Sequence, residues 1–214
     1  ASLVDSTVSS VTGDITLTGT GGTAASSHGI LLDATTGFNG AVVSTGSADI
    51  TLIGTAGGAG VGIQTQNGGG GAVNVIGDAT MTGNITLRAS TTGGADSISL
   101  ANLTIDGTGA VFLEPGAAGT SVGIAGGAGV FNLSVAELGT INDGFSGITI
   151  GHSAGTGLTT IGSATFSDPV TIRQSGADGD ITLSGALTTA GANAAITLTA
   201  GTGDGGTFTQ TVGA

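Results

Sequence analysis

A short unit of the form Ile-Thr-Leu, usually preceded by a small polar residue, recurs along the chain and constrains its fold more than any other feature. Each copy alternates apolar, polar and apolar residues and is bounded by turn-forming residues, a pattern typical of a short strand with one buried face. The copies lie at 14–17, 49–52, 84–87, 180–183 and 195–198, with looser relatives at 97–100, 147–150 and 169–172. We therefore expect short strands whose Ile and Leu side chains point inward and whose Thr side chains point outward.

A longer repeat connects two parts of the chain at an offset of 85 residues. Residues 76–90 align with residues 161–175 without a gap, and the two arginines of the chain, Arg88 and Arg173, coincide in this alignment. A weaker spacing of 35 residues separates the first three Ile-Thr-Leu units. Self-similarity of this kind indicates a repeat array rather than two unlike domains.

The repeat predicts an all-β fold, a right-handed parallel β-helix (β-solenoid) of stacked short-strand coils. No single coil can bury its apolar face alone, so stacking makes the core, with the strands of successive coils parallel and ~4.8 Å apart. We treat 1–214 as a single β-solenoid with an internal repeat at approximately 53–137 and 138–214. An 85-residue unit would hold four coils of about 21 residues or three of about 28. The spacing of 35 residues fits neither, so the sequence leaves the coil length open.

The inward Ile and Leu residues are expected to form an apolar ladder along the solenoid axis. Met81 and Phe166, which coincide in the 85-residue alignment, mark a further core position. The expected ladder residues are Ile15, Leu17, Ile50, Leu52, Ile63, Ile85, Leu87, Ile148, Val170, Ile172, Ile181, Leu183, Ile196 and Leu198.

An antiparallel β-sandwich is the alternative fold, because short strands separated by glycine turns also suit it. Hairpin signals stand at 39–40 and 67–68, both Asn-Gly, and at 106–107, Asp-Gly. Such dipeptides are frequent in any chain that has 45 glycines among 214 residues. The sandwich also explains the repeat less well than stacked coils do.

Composition and charge exclude several classes of protein. Hydrophobic residues make up 38% of the chain and charged residues 7%, so the chain can bury enough apolar surface to fold despite its glycine content. Fourteen acidic residues oppose two arginines and give a net charge of −12, which leaves no basic patch and excludes nucleic acid as a partner. No apolar run approaches the ~18 residues of a membrane span. The absence of cysteine excludes disulfides and thiolate metal sites.

Residues 133–189 have a more specific resemblance. They contain Leu-Ser-Val-Ala-Glu-Leu at 133–138, Gly-Ile-Thr-Ile-Gly at 147–151, Ala-Thr-Phe-Ser-Asp-Pro-Val-Thr-Ile at 164–172 and Asp-Ile-Thr-Leu at 180–183. This text resembles the repeats of filamentous-haemagglutinin-like bacterial exoproteins, and the remaining chain matches through the Ile-Thr-Leu units alone. The resemblance implies a right-handed β-helix shaft, exported by a two-partner or autotransporter route to the bacterial cell surface. The secretion domain of that family, with its Asn-Pro motifs, has no match here, so the chain would be shaft.

The resemblance further implies an extracellular structural or adhesive role, as a shaft or filament-forming segment. The implied partners are further copies of the chain, associated end to end or laterally, and host-cell or surface glycans. An open solenoid end, with its unpaired backbone groups, also favours end-to-end association. The alternative is a ligand-binding solenoid that engages calcium, a glycan or ice through a ladder face, and a polysaccharide-active enzyme is the third hypothesis.

Acidic turns make calcium the candidate metal. Asp143, Asp178, Asp180 and Asp204 stand in glycine-containing turns and offer the hard oxygen ligands that calcium prefers. They do not form the nonapeptide pattern of calcium-binding β-rolls, and Asp is also a default turn residue. We expect no other cofactor.

Catalysis is disfavoured by the residue types present. His28 and His152 have different neighbours and do not repeat, and a catalytic triad is defined by geometry rather than by the presence of its residues. Sugar-active sites use clustered acids, and aromatic platforms would hold the sugar rings, whereas this chain has no Trp or Tyr. The equivalent repeat positions of Arg88 and Arg173 indicate a structural surface role, in stacking or in pairing with Asp.

The outward Thr side chains could form a flat ladder similar to those of ice-binding solenoids. Their spacing in the sequence is irregular, whereas a flat binding face needs a regular array. The spacing therefore favours the simpler interpretation that Thr is the preferred outward polar residue on a strand.

Overall fold

The computed structural model describes residues 1–24, 27–35, 40–68, 72–93, 96–191, 194–203 and 205–210. Within these residues the chain forms 22 strands and one short helix. Every pairing between the described strands is parallel. The strands wind as successive coils around three faces, so the fold is a parallel β-solenoid, as the repeat predicted. The antiparallel sandwich is wrong, because the turns connect strands of different faces instead of closing hairpins.

The three faces are named here by their strands. Face A contains β1 (Ser2–Val4), β4 (Ile30–Ala34), β7 (Ile63–Asn67), β10 (Ile98–Leu100), β14 (Phe131–Leu133), β13 (Val122–Ile124), β16 (Leu158–Ile161), β19 (Asp180–Leu183) and β22 (Phe208–Gln210). Face B contains β2 (Thr7–Ser10), β5 (Ala41–Ser44), β8 (Asn74–Gly77), β11 (Leu103–Asp106), β17 (Ala164–Phe166) and β20 (Leu187–Thr189). Face C contains β3 (Ile15–Thr20), β6 (Ile50–Ala56), β9 (Ile85–Thr91), β12 (Ala110–Pro115), β15 (Gly147–His152), β18 (Val170–Gln174) and β21 (Ile196–Thr199).

The register of face C explains both sequence spacings. Ile85 pairs with Val111, Val111 with Ile148, and Ile148 with Val170, so the 85-residue offset spans three coils of 26, 37 and 22 residues. The spacing of 35 residues is the length of each of the first two coils. Coil length therefore varies along the solenoid, which is why no single length accounted for both spacings. The expected repeat boundary at 53 falls inside β6, so it is not a boundary between coils.

The expected apolar ladder lines the interior. Ten of its residues are buried, and Leu17, Leu183, Ile196 and Leu198 are partly buried and pack against the same cluster. Met81 and Phe166 are both buried, as their alignment predicted. Burial of each Ile or Leu side chain contributes about 1.5–3 kcal/mol, so the stacked columns supply the main stabilisation of the fold.

The coil between β12 and β15 departs from the pattern. The chain forms β13 and then loops back through residues 125–130, where Ala125 and Gly126 adopt φ values of 52° and 93°. It then runs again in the direction of β13 and forms β14, which pairs with β13 in parallel. β14 lies beside β10, since the Ser97 N–H donates to the Val130 carbonyl at 2.7 Å, while β13 pairs with β16. Face A thus has two strands between β10 and β16, whereas face C has only β15 between β12 and β18.

A short helix, α1 (Val135–Leu138), continues this coil with a capping box. The Glu137 N–H donates to the Ser134 hydroxyl at 3.2 Å, and one Glu137 carboxylate oxygen accepts from the Ser134 N–H at 2.8 Å. The other oxygen accepts from the Leu100 N–H of β10 at 2.9 Å, in the place of a strand carbonyl. The chain then meets face B at one residue, Ile141, which bridges to Ile105.

Face B is open at this level. Among the described strands, β17 pairs with β20 alone, and a cavity of about 470 Å³ lies between α1, Ile141 and β17. The additional strand of face A lies at the same level as this cavity. The cavity therefore occupies the place where face B has no strand to match the extra strand of face A.

Candidate functional site

The outer side of face C presents one column of residues that is almost entirely threonine. Strand register aligns the same outward position on all seven strands. The column consists of Thr16, Thr51, Thr86, Phe112, Thr149, Thr171 and Thr197. We call it the threonine column. Its hydroxyl groups repeat at the strand spacing of about 4.8 Å and are interrupted only by Phe112.

The expectation that unequal sequence spacing would prevent a regular Thr array was wrong. Extra residues in the longer coils are placed in the turns and in the face A excursion, so the register on face C is kept. The neighbouring outward column is not a second threonine array, however. It contains Thr18, Ile53, Arg88, Glu114, Gly151, Arg173 and Thr199.

Both arginines of the chain bind one carboxylate in this second column. Arg88 Nη2 lies 2.6 Å from Glu114 Oε2 and its Nε lies 3.1 Å from the same oxygen, while Arg173 Nη2 lies 3.0 Å from Oε1. The two arginine side chains cover Glu114, whose side chain is 11% exposed. We call this group the Arg-Glu-Arg cluster. The structural surface role expected for the arginines is consistent with this contact, but their partner is Glu114 rather than an Asp.

Gly151 lies on β15, the strand that the contact between Arg173 and Glu114 crosses. It pairs with Arg173 of β18. Its φ is 102°, and a Cβ atom built there would lie 2.0 Å from the Arg173 carbonyl oxygen. Glycine is therefore required at this position for two independent reasons.

A polar ladder joins the starts of the first face C strands. The Asp14 carboxylate accepts from the Asp49 N–H at 3.0 Å, the Asp49 carboxylate from the Asn84 N–H at 2.7 Å, and the Asn84 side-chain oxygen from the Ala110 N–H at 3.0 Å. Each side chain ties one coil to the next. The polar residue that precedes Ile-Thr-Leu is thus a connection between coils as well as a turn former.

The candidate calcium residues do not lie together. Asp143 follows the bridge at Ile141 on face B, whereas Asp178 stands in the turn between β18 and β19 and Asp180 is the first residue of β19. The Asp180 carboxylate accepts from the Thr207 N–H at 2.7 Å and from the Thr207 hydroxyl at 2.6 Å. Asp204 lies outside the described residues. Within the part of the chain that the structure describes, no three His, Cys, Asp or Glu side chains are grouped to hold a metal ion.

The two histidines each accept a hydrogen bond from the backbone. The Val61 N–H donates to His28 Nδ1 at 3.1 Å across 33 residues, whereas the Ala154 N–H donates to His152 Nδ1 at 3.0 Å within one turn. Nδ1 of each ring is therefore occupied as an acceptor.

Asp96 is the acid whose ionisation the fold disturbs most clearly. Burial raises the pKa of Asp96 to about 6, although its carboxylate accepts from the Ile98 N–H at 3.2 Å and from the Asn132 N–H at 3.1 Å. The negative charge of Glu137 adds to the rise. Asp96 and Glu137 together satisfy backbone donors at the junction between β10 and β14, where the strands do not form a complete ladder.

Asp168 lines the face B cavity and is 6% exposed. One of its oxygens accepts from the Gly144 N–H at 3.1 Å, and the exposed Asp143 carboxyl lies within hydrogen-bonding reach. Burial, and to a smaller extent the neighbouring Asp143, raise the pKa of Asp168 above its ordinary value. Of the three candidate calcium acids that the structure describes, only Asp143 is thus placed beside a second carboxyl group at a cavity.

Sequence reasoning missed Glu114 and Asp168, and it considered a threonine ladder but disfavoured it. Glu114 stands 26 residues after Arg88 and 59 before Arg173, and neither spacing matches a repeat period that the sequence displayed. The threonine column could have been found by aligning the Ile-Thr-Leu units with each other irrespective of their separation. Asp168 carries no local signal beyond its place before a proline.

Among the residues described, no helix has the length and apolar character needed to cross a membrane. Comparison of the chain with family models, with curated proteins and with solved structures found no match.

Proposed function

We propose that the chain is a stiff segment of an extracellular bacterial surface protein, with a structural or adhesive role and no catalytic one. The observation that carries this proposal is face C, whose seven strands follow one another in register from β3 to β21. A rod built in this way resists bending because each coil is hydrogen-bonded to the next along its length. The bacterial surface assignment is supported by the resemblance of residues 133–189 to filamentous-haemagglutinin-like repeats.

The surface chemistry of face C supports association between rods. Its two arginines share the single carboxylate of Glu114, which leaves one net positive charge, and the adjacent threonine column offers small side chains with hydroxyl groups. Glu114 is the only acidic residue within the described strands of face C. Lateral packing through face C is therefore compatible with a chain whose net charge is −12, since little of the negative charge lies on this face.

The exposed edges of face C also suit stacking of one chain on another. The Ile15 N–H donates to the Asp49 carbonyl, so in the alternating pattern of a parallel ladder the N–H groups of Thr16 and Thr18 face away from β6. The Val170 N–H donates to the Ala195 carbonyl, so the N–H and C=O groups of Ile196 likewise face away from β18. A β21 edge can thus continue into a β3 edge with the apolar columns aligned.

Electron microscopy of the purified chain at increasing concentration tests this association. We expect filaments in which the strand repeat continues from one molecule to the next. Thr16→Pro removes an N–H from the β3 edge and leaves the ladder to β6 intact, so it should shorten or abolish the filaments. Thr16→Val keeps the N–H and serves as the matched control. If the wild-type chain formed only isolated rods at all concentrations, as Thr16→Pro is expected to do, end-to-end association would be contradicted.

The cellular place and adhesive role need a separate test. An antibody against the chain should label intact producing cells, and brief protease treatment of those cells should remove the label. Purified chain coated on beads should retain host cells or surface glycans better than beads coated with an unrelated acidic protein. Labelling only after cell lysis would remove the surface assignment.

The threonine column favours a second candidate function, the binding of a repetitive ligand such as a glycan or ice by a ladder face. Thermal hysteresis and glycan-array binding are the measurements, and Thr149→Tyr, placed in the middle of the column, should reduce either. Thr182→Tyr is the matched control because Thr182 is an outward residue of face A. Equal activity of the two variants would show that the threonine column does not bind the ligand. Melting with and without calcium tests the calcium hypothesis.

A further inference from the structure

The face B cavity lies where the sheet has no strand between the Ile141 bridge and β17. Between the levels of β10 and β16, face A holds β14 and β13, whereas face B holds only the single-residue bridge at Ile141. Three residues of β17 line the far side, and the cavity volume is about 470 Å³. Face A has one more strand than face B at this level, and a gap therefore remains between Ile141 and β17.

The backbone on both sides of the cavity has hydrogen-bonding groups directed into it. The Ala164 N–H donates to the Ala186 carbonyl and the Phe166 carbonyl accepts from the Ala190 N–H, so residues 164 and 166 bond to β20. In a parallel ladder the intervening residue bonds to the other side, which directs the N–H and C=O of Thr165 into the cavity. On the opposite side the Ile105 N–H and C=O bond to Thr140 and Asn142, so the Ile141 carbonyl also faces the cavity.

The side chains define what could fill this interval. Leu138, Ile141, Ile148 and Phe166 provide apolar walls, and at the end of β17 the cavity is lined by the carboxyl group of Asp168. Asp143 lies against Asp168, so two acids meet at one end of an apolar slot. An occupant would therefore combine apolar side chains with a cation at the end of the strand it forms.

The cationic side chains of this chain are engaged elsewhere. It has no lysine, and its two arginines both bind Glu114 on face C. Its two histidines, His28 and His152, each hold a backbone N–H through Nδ1. A second copy of the chain has the same composition and is subject to the same restriction. The charge complement therefore points to a different polypeptide.

We propose that the face B cavity binds an extended segment of a partner protein as an added parallel strand, with apolar residues directed inward and a lysine or arginine paired with Asp143 and Asp168. Its backbone bonds to Thr165 on one side and to Ile141 on the other, in the manner of β-strand addition. The site is separate from the filament edges of face C and from the threonine column, so it adds a partner to the proposed rod.

The direct test is a titration of the isotope-labelled full chain with a blocked peptide, acetyl-Val-Thr-Val-Lys-amide, followed by nuclear magnetic resonance. We expect saturable shifts confined to residues that line the cavity, with protection of the Thr165 amide from hydrogen exchange. A peptide with Glu in place of Lys should bind at least tenfold more weakly. Equal binding of both peptides, or no saturable binding of either, would overturn the proposal.

Two variants separate the backbone and charge contributions. Thr165→Pro removes the N–H that faces the cavity while leaving the β17–β20 ladder its own donors, and should weaken the peptide at least tenfold. Asp168→Asn should weaken the Lys peptide and strengthen the Glu peptide, so that the difference between the two peptides narrows. Asp78→Asn is the matched control, since Asp78 is an exposed acid bonded to Thr80 away from the cavity and its replacement changes the net charge equally. If Asp78→Asn weakened the peptide as much as Asp168→Asn, general electrostatics would replace the specific site.

Other occupants give distinct results in the same experiment. Shifts at the cavity that grow with protein concentration, without peptide, would assign the slot to a second copy of this chain. Binding of n-butylamine as tight as that of the peptide would assign it to small amines. Either result overturns the proposal of an added strand from another protein.

Discussion

At the scale of single residues, the close approach of β15 and β18 depends on Gly151. Gly151→Ala would place a methyl group against the Arg173 carbonyl oxygen in a backbone conformation with φ of 102°. Gly126→Ala is the matched control, because Gly126 has φ of 93° with nothing within 4 Å of the added atom. We expect Gly126→Ala to cost about 1–2 kcal/mol, the penalty of the left-handed conformation alone, and Gly151→Ala to cost about 3 kcal/mol or more. Thermal unfolding followed by circular dichroism compares the two, and equal losses would show that the close contact with β18 is unimportant.

Asp96 gives a residue-level prediction about pH. Because the pKa of its carboxyl is raised to about 6 from an ordinary 3.8, the folded state favours the protonated form. The stability this supplies is fully present below about pH 4 and is lost as the pH rises through about 6. Asp96→Asn keeps an oxygen for the Ile98 and Asn132 N–H groups without the buried charge. It should therefore stabilise the fold at pH 7.5, by roughly 1–2 kcal/mol because solvent screens part of the charge, and have little effect at pH 4.

The measurement for Asp96 is the difference in melting temperature between variant and wild type across this pH range. Taking the difference removes the contribution of the other acids, which titrate in both proteins. A gain that is equal at pH 4 and pH 7.5 would mean that the effect of Asp96→Asn is not one of ionisation.

At the scale of elements, α1 covers the edge of β10, because its Glu137 side chain accepts a hydrogen bond from the Leu100 N–H. Glu137→Ala removes the acceptor for both the Ser134 and Leu100 N–H groups and should cost about 2–3 kcal/mol, as the reciprocal bond of the capping box and the bond to β10 are both lost. Ser134→Ala should cost about 1 kcal/mol because it removes the cap alone. Unfolding in urea orders the two variants, and a cost for Ser134→Ala equal to that for Glu137→Ala would show that the bond to β10 contributes nothing.

Elements also show how far the sequence could be interpreted. The face C strands were predictable because Ile and Leu alternate with outward Thr, and residues such as Ile50 and Leu52 must then lie inside. Face A and face B strands follow this pattern less clearly: β7 buries Thr65, and β8 buries Asn74. The sequence could not predict β13, β14 and the loop between them, because a coil of 37 residues has the same kinds of strand and turn residues as a shorter coil. The cavity that Asp168 lines is at the level of this additional strand, so it could not be predicted either.

At the scale of the whole molecule, the excursion that forms β13 and β14 is expected to hold the face B cavity open. Val122 pairs with Phe131, nine residues later, so deletion of residues 122–130 would leave β14 in the place of β13 and give face A one strand per coil. We expect the deleted chain to keep its β-sheet circular dichroism. We also expect the Ile141 segment to close onto β17, because the two would then lie one strand spacing apart.

Hydrogen exchange measures this closure directly. The Thr165 amide, which faces the cavity in the intact chain, should become protected after the deletion, and acetyl-Val-Thr-Val-Lys-amide should no longer bind. The amides of β18, which lies between two paired strands, are the internal control and should be protected in both proteins. If the Thr165 amide exchanged as fast after the deletion as before, the cavity would have an origin other than the additional strand of face A. The rod would then tolerate an unequal number of strands on its faces without opening, and the unmatched strand would have to be accommodated by the twist of the sheets.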